Sequence, residues 1–239
     1  MRNLFFIISF FLVQNVYAGT FKGASLFNQA LSKEYESIGT LFTNGFEIQV
    51  RVTMESLSNE KSVDSATWTN VIRETPAGNF WFEKRNSEDK KVITVNNHDQ
   101  KLFVQQSIQG YKESPWVQVD NLDYFIGVKK QIFDDWKSLY ERYKMLLIFT
   151  QEREEIYDGK AVYVLIGSFR NRIGEKYLND RKIITIDLEA KLDKTTLIPY
   201  VFILKVEYTK SDYADRVIHF IKNFELQIKN YNWKSDVET

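Results

Sequence analysis

The chain contains no cysteine. Disulfides, thiolate nucleophiles and cysteine-ligated metals are therefore excluded, and even an exported copy must be stabilised by its core alone. Histidine occurs twice, at His98 and His219. The pair lacks metal-ligand spacing and sits among strand-like residues, so neither is expected to hold a metal or act in catalysis. Three prolines and ten glycines in 239 residues are too few for linkers or low-complexity tails, which leaves one domain as the natural count. Neither sign of charge prevails: 32 basic residues balance 32 acidic ones, and no basic stripe offers a nucleic-acid surface. There is no Gly-rich phosphate loop, and Ser168 stands in IGSF rather than in a G-x-S-x-G elbow. The acidic run Glu152 to Glu155 (EREE) lacks the alternating oxygen ligands and glycine of a calcium loop and reads as a solvated charge run. No cofactor, metal or enzymatic activity is expected. The remaining catalytic option is a pair of carboxylates brought together by folding, and the sequence singles out no such pair.

Long apolar runs are scarce too, and the one at the N-terminus is short. MRNLFFIISFFLVQNVYA has a basic residue, Arg2, an apolar stretch from Leu4 to Val13, and a small-x-small ending at Val16, Tyr17 and Ala18. That is the anatomy of a secretory signal peptide over residues 1–18, with cleavage expected after Ala18; an uncleaved anchor is the other reading. No later run reaches the length of a membrane helix. The expected product is a periplasmic or secreted monomer covering residues 19–239.

What the sequence does contain is aromatic and periodic. Leu26, Phe27, Ala30, Leu31, Tyr35 and Ile38 recur at helical spacing and predict a helix over Ser25 to Ile38. The period then changes to two: in FEIQVRVTM, Phe46, Ile48, Val50, Val52 and Met54 alternate with polar residues, the mark of a strand with one apolar face. SLSNEKSVDS reads as the following turn. ATWTNVIRE, NFWFEKR, KVITVNN and KLFVQQSIQG continue as short strands of an antiparallel meander. From about 121 to 149 the helical period returns, lined by Leu122, Phe125, Ile126, Ile132, Phe133, Trp136, Leu139, Tyr140, Tyr143, Leu146 and Leu147. Unbroken, that segment would span about 42 Å, so a bend or a pair of helices is expected. KAVYVLIGSF, KIITIDLEAKL, PYVFILKVEY and VIHFIKNFELQIKNY resume the strands. The fold class is α+β: a half-open antiparallel β-barrel of about 8–11 strands, with an N-terminal helix and a central helical cover over the concave face.

Within NFWFEKR, alternation puts Phe80 and Phe82 on one face and Trp81 on the other, where it needs cover from another element or a partner. The apolar inner face has three readings: ordinary core packing, a lipid-sized cavity, or a partner-binding surface. A lipid would contact Phe46, Ile48, Val50, Val52, Met54, Phe80 and Phe82 on the sheet. On the helix it would meet Phe125, Ile132, Phe133, Trp136 and Tyr140.

The order of these elements resembles the exported lipoprotein-carrier (LolA/LolB-like) family, together with mycobacterial-type lipid-binding relatives of the same fold. The residues that carry the resemblance are the helix from Ser25 to Ile38, EIQVRVTM, VIRETPAGNFWFE, VNNHDQKLFVQQ, and DGKAVYVLIG with IITIDLEAKLDKTTLIPYVFILKV. The resemblance implies a carrier that shields acyl chains of a lipid or lipidated protein across the periplasm, with envelope membrane proteins as donor or acceptor. The alternative is a non-enzymatic envelope scaffold or interaction module without a lipid ligand. The chain departs from the family at three places. The arginine that the carriers place between the aromatics of the kinked strand is replaced by apolar Trp81 or Phe82. The Asp-Gly turn becomes Asp99-Gln100, and the helical insertion is longer.

Overall fold

The computed structural model describes residues 22–58, 61–86, 91–98, 101–106, 115–119, 122–169, 177–178, 180–211 and 216–231. The segment 1–18 and the turn at Asp99-Gln100 lie outside the described residues. β1 (Phe46–Ser58) keeps its alternation: Phe46, Ile48, Val50 and Val52 are buried on one face while Arg51 is exposed on the other. It pairs antiparallel on both sides, with β2 (Lys61–Glu74) and with the last strand, β12 (Val217–Asn230). One wing continues from β2 through β3 (Phe80–Arg85), β4 (Lys91–His98), β5 (Lys101–Gln106) and β6 (Val117–Val119). The other runs from β12 through β11 (Pro199–Ser211), β10 (Arg181–Asp193), β8 (Lys160–Phe169) and β7 (Leu147–Tyr157), with β9 (Tyr177–Leu178) beside β10. The edges β6 and β7 do not meet, so the sheet is a half-open barrel. It has twelve strands, the count being swelled by the very short β6 and β9.

Three stretches differ from their sequence pattern. SLSNEKSVDS is mostly strand, since β1 runs to Ser58 and β2 starts at Lys61. Its polar residues belong to a solvated hairpin rather than to a turn. The first helix, α1, spans 22–31; Ser32 and Lys33 then tighten onto Gln29 and Ala30, and a separate 3-10 turn covers Tyr35–Thr40. The central helix, α2, is a single run, Leu122–Tyr143. At about 1.5 Å per residue it is roughly 33 Å long, short enough to fit without a bend. Leu147 and Phe149, which prolong its apolar pattern, already lie in β7.

Partner residues across a ladder share a face, so the register maps the inner surface. Phe202, Leu226, Val50, Asn70 and Lys84 form one row across β11, β12, β1, β2 and β3. Val206, Lys222, Met54 and Ala66 form a parallel row nearer the hairpin tips. α2 crosses these rows diagonally. Its Lys129 meets Glu74 of β2 and Phe80 of β3, and its Trp136 meets Phe202 of β11. Near its end, Tyr143 lies close enough to help raise the Tyr208 hydroxyl of β11, an effect in which burial comes first.

Two contacts outside the core explain particular residues. Gly45, entering β1, has a φ of 109°, and a Cβ there would stand 2.7 Å from the Glu74 carbonyl oxygen and 3.2 Å from that of Tyr231. Its own carbonyl accepts the Tyr231 N–H. Only glycine fits between the two strand ends. On the outer face, Glu47 is buried between the neighbouring strands, its two oxygens accepting from Arg73 Nε at 2.6 Å and Lys229 Nζ at 2.8 Å. Burial alone would raise this carboxyl, but the hydrogen bonds from Lys229 and Arg73 outweigh it and hold it below the usual range.

Gly45→Ala is expected to destabilise the protein by about 2 kcal/mol or more through backbone strain and contact with the carbonyls, read as a lowered urea midpoint with an unchanged slope. For Glu47 the depressed folded-state pKa fixes the sign. Its contribution is complete above the unfolded value of about 4.3 and is lost as pH falls through the folded pKa. The stability gap between wild type and Glu47→Gln should therefore narrow between pH 6 and pH 3; a constant gap in denaturant melts at the two pH values would contradict this.

Candidate functional site

The helices divide the inner face into two unequal parts. On the side facing β7, β11 and the chain's start, α1 completes a tight aromatic core. The Phe27 ring lies 4.3 Å from Tyr140, 5.7 Å from Trp136, 5.6 Å from Phe149 and 6.0 Å from Phe202. Phe133 joins it through Trp136 at 6.2 Å and Tyr35 at 6.0 Å. Gly23 of α1 rests close to Phe149, where a Cβ would stand 3.3 Å from that side chain. Phe46, Ile48, Val50, Phe80, Ile132, Phe133, Trp136 and Tyr140 are all buried here. Beneath α2, the protein's own side chains pack against one another.

On the opposite side of the diagonal the cover is thinner. Val52 and Phe82 are buried at the boundary, but Met54 of β1, Trp68 of β2, Val104 of β5 and Phe220 of β12 are only half-buried. α2 adds Val128 and Leu139, also half-buried, from a stripe 128–135–139–142 that lies beside its fully buried one. This trough, bounded by the β1–β2 hairpin and the flank of α2, is the candidate site. The structure thus brings eleven of the residues read from the sequence onto one inner surface, with Val52, Met54 and Phe82 at the trough; the side chain of Phe125 lies outside the described residues. Trp68, Leu139 and Phe220 are additional lining residues. Their signal was in the sequence: ATWTNVIRE and VIHFIKNF carry the same alternation as β1, and pairing sets Trp68 opposite Val52 and Phe220 opposite Ser56.

A charged clasp anchors α2 at its first turns. Glu74 Oε2 accepts from Tyr35 Oη at 2.6 Å and from Lys129 Nζ at 2.8 Å, and Lys129 also stands 4.4 Å over the Phe80 ring. Lys129 is buried, a position a lysine holds only when paired. Burial, and then the Glu74 charge, push the Tyr35 hydroxyl well above its usual range, so it remains a donor. A second tether runs from Lys137 Nζ to the Lys33 carbonyl, joining α2 to the segment after α1. A cleft of about 340 Å³ opens beside the clasp, lined by Tyr35, Phe42, Phe46, Glu74 and Pro76 among others.

The outer face is polar. A shallow cradle of about 510 Å³ lies over Gln49, Arg51, Thr67, Thr69, Arg73 and Lys229. Trp81 finds its cover here: its ring is edge-on to Trp116 at 6.0 Å, and its Nε1 donates to Glu83 Oε2 at 3.3 Å. EREE lies in β7, where Glu154 pairs with Lys194 and Glu155 with Lys191. Among the described residues no group of three His, Asp or Glu side chains is placed to hold a metal, and no helix is long and apolar enough to cross a membrane. His219 Nε2 lies 2.8 Å from Glu207 Oε1.

No protein-family model and no curated protein matches the chain. Among solved structures it is similar to MucB in complex with MucA(peri), at 13% identity and a TM-score of 0.30, covering 91% of this chain but only 59% of MucB. It is also similar to a domain described as an outer membrane lipoprotein-sorting protein from Vibrio parahaemolyticus, at 9% identity and a TM-score of 0.20, over 85% of this chain and 93% of that one. A third likeness is to a beta-barrel-like protein of the domain of unknown function DUF1849 from Brucella abortus, at 11% identity and a TM-score of 0.20, over 80% of this chain and 99% of that one.

Proposed function

We propose that the protein is an exported carrier that holds the acyl chain of a lipid or lipidated protein along the trough beside α2, without covalent chemistry. The observation that carries this reading is the inner apolar surface of Met54, Trp68, Val104, Val128, Leu139 and Phe220, which stays only half-buried while neighbouring Val52 and Phe82 are buried. Each methylene seated there would contribute about 0.8 kcal/mol. The magnitudes also decide where the chain lies. Lifting α2 away would expose Ile132, Phe133, Trp136, Tyr140 and Tyr143 together, at about 2 kcal/mol each, or roughly 10 kcal/mol. That rivals the whole stability of an ordinary domain, about 5–15 kcal/mol. The occupant therefore lies beside the helix, and entry needs only a small displacement of its flank.

The interaction-module reading rests on a different feature. β7 is an eleven-residue edge strand with Ile156 exposed, a surface to which another chain could add a strand.

Native mass spectrometry and solvent extraction of the purified protein should recover a long-chain lipid, and a fluorescent fatty-acid analogue should bind at one site. Recovery of none, together with no probe binding, would defeat the carrier reading. Trp68→Ala is expected to weaken probe binding about tenfold, equal to 1.4 kcal/mol, and to lower the melting temperature by a few degrees through lost packing on the core. Lys129→Met removes the cation from the clasp and leaves Glu74 underpaired, so it should lower the melting temperature while speeding probe entry in stopped-flow mixing. A slower or unchanged entry rate would show that the clasp does not restrain the helix flank.

A further inference from the structure

The trough is not uniformly apolar. Lys222 of β12 sits on its inner face, opposite Met54 on one side and Val206 on the other. Such a register position normally takes an apolar side chain. Lys222 is half-buried and has no ion-pair partner among the described residues. Two more cations come to it from different elements. Arg142 lies on the α2 stripe 128–135–139–142 that flanks the trough. Arg181 of β10 shares a face with buried Ile183 and lies 4.9 Å over the Tyr208 ring, which itself stacks on Phe220 at 5.2 Å. The carboxylate facing Lys222 is Asp135 of the same α2 stripe, while Arg181 makes a 4.0 Å ion pair with Asp180, a carboxylate also held by Lys210. Three cations thus stand at the end of an apolar trough against two carboxylates, Asp135 and Asp180, the second of which is shared with Lys210.

We propose that Lys222, with Arg142 and Arg181, seats the anionic headgroup, a carboxylate or phosphate, of the amphiphile whose chain lies in the trough. This deepens the carrier reading and rests on it. A half-buried, unpaired ammonium is costly to the folded protein and becomes favourable once an anion joins it. Burial, followed by the Arg142 and Arg181 charges, lowers the Lys222 pKa, as expected of a cation short of counter-charge. Asp135 does not fill that need. Burial, with the neighbouring Asp134 charge, pushes its own carboxyl up, and it makes no ion pair with Lys222. The aromatic pair Tyr208 and Phe220 then places the first methylenes directly below the headgroup.

The test compares dodecyl phosphate, dodecanol and inorganic phosphate by intrinsic fluorescence titration, each below any micelle-forming concentration. The wild-type protein should bind dodecyl phosphate at least about tenfold more tightly than dodecanol, the scale of one charge-assisted contact. Lys222→Met and Arg142→Gln should each shrink that ratio several-fold while leaving dodecanol binding intact. Lys222→Met removes an unpaired charge, so its melting temperature should not fall; Arg142 is exposed, and its variant provides an independent check on folding. Equal binding of dodecyl phosphate and dodecanol, or an unchanged ratio in both variants, would overturn the headgroup seat and leave the carrier reading standing. Displacement of dodecyl phosphate by comparable concentrations of inorganic phosphate would overturn it in favour of a site for free anions. Binding of neither long-chain compound would overturn the carrier reading itself.

Discussion

The fold depends on covering one apolar face of an open sheet with very little helix. β1 and β2 are long strands, about 3.4 Å per residue, so the inner surface extends for roughly 45 Å along them. A helix covers a band only about 10 Å wide. α1, the 3-10 turn and α2 therefore cannot roof the whole concavity. The diagonal course of α2 puts its aromatic ridge over the rows of Phe46 to Val52, where the sheet is most apolar. The rows of Met54 and beyond receive only its flank. The trough is the geometric remainder of that coverage, and it lies where Met54, Trp68 and Phe220 have replaced the fully enclosed residues of the centre.

The polar contacts follow the same division. At the covered end a buried lysine, Lys129, is matched by a carboxylate and a tyrosine, the arrangement that makes a buried cation tolerable. At the trough end another lysine, Lys222, is partly buried without such a match. Within the core, Trp136 Nε1 and Asn70 Oδ1 are buried without hydrogen-bond partners among the described residues. Each costs folding free energy, of the order of 1–3 kcal/mol. The large apolar area around Trp136 outweighs that cost, which is why an indole fits at the centre of a core that offers its N–H nothing.

Much of this architecture was legible from period alone. The two-residue alternation of FEIQVRVTM fixes which side chains of β1 face inward, and the helical stripe from Leu122 to Tyr143 fixes the face of α2 that packs on them. Phe80 and Phe82 on one side and Trp81 on the other follow from the same rule, and Trp116 is the cover that Trp81 required. Three things were not legible because they are set by pairing rather than by local pattern. The join of β12 to β1 brings the last strand to the centre of the sheet. Alternation with Phe224 and Leu226 already puts Lys222 on the apolar face, but only that join sets it opposite Met54. The diagonal angle of α2 is fixed by the Lys129–Glu74 clasp and by Trp136 against Phe202, contacts separated widely in sequence. The ends of elements also escaped the period rule: Leu147 and Phe149 continue the helical pattern while belonging to a strand.

The apolar residues of β3 have a physical meaning in this setting. Phe82 is buried at the edge of the trough opposite Ile72, and a guanidinium at its position would find no carboxylate on the adjoining register positions of β2 and β4. The charge that ties helix to sheet lies on the helix, as Lys129, and its partner on β2, as Glu74. The attachment therefore sits at the end of β2, near the first turns of α2. The helix is thus secured by polar contacts at its beginning and by aromatic packing along its centre, while its flank at 128, 135, 139 and 142 carries neither constraint in full. That flank is the part of α2 able to yield at least cost, and it is the part that borders the trough.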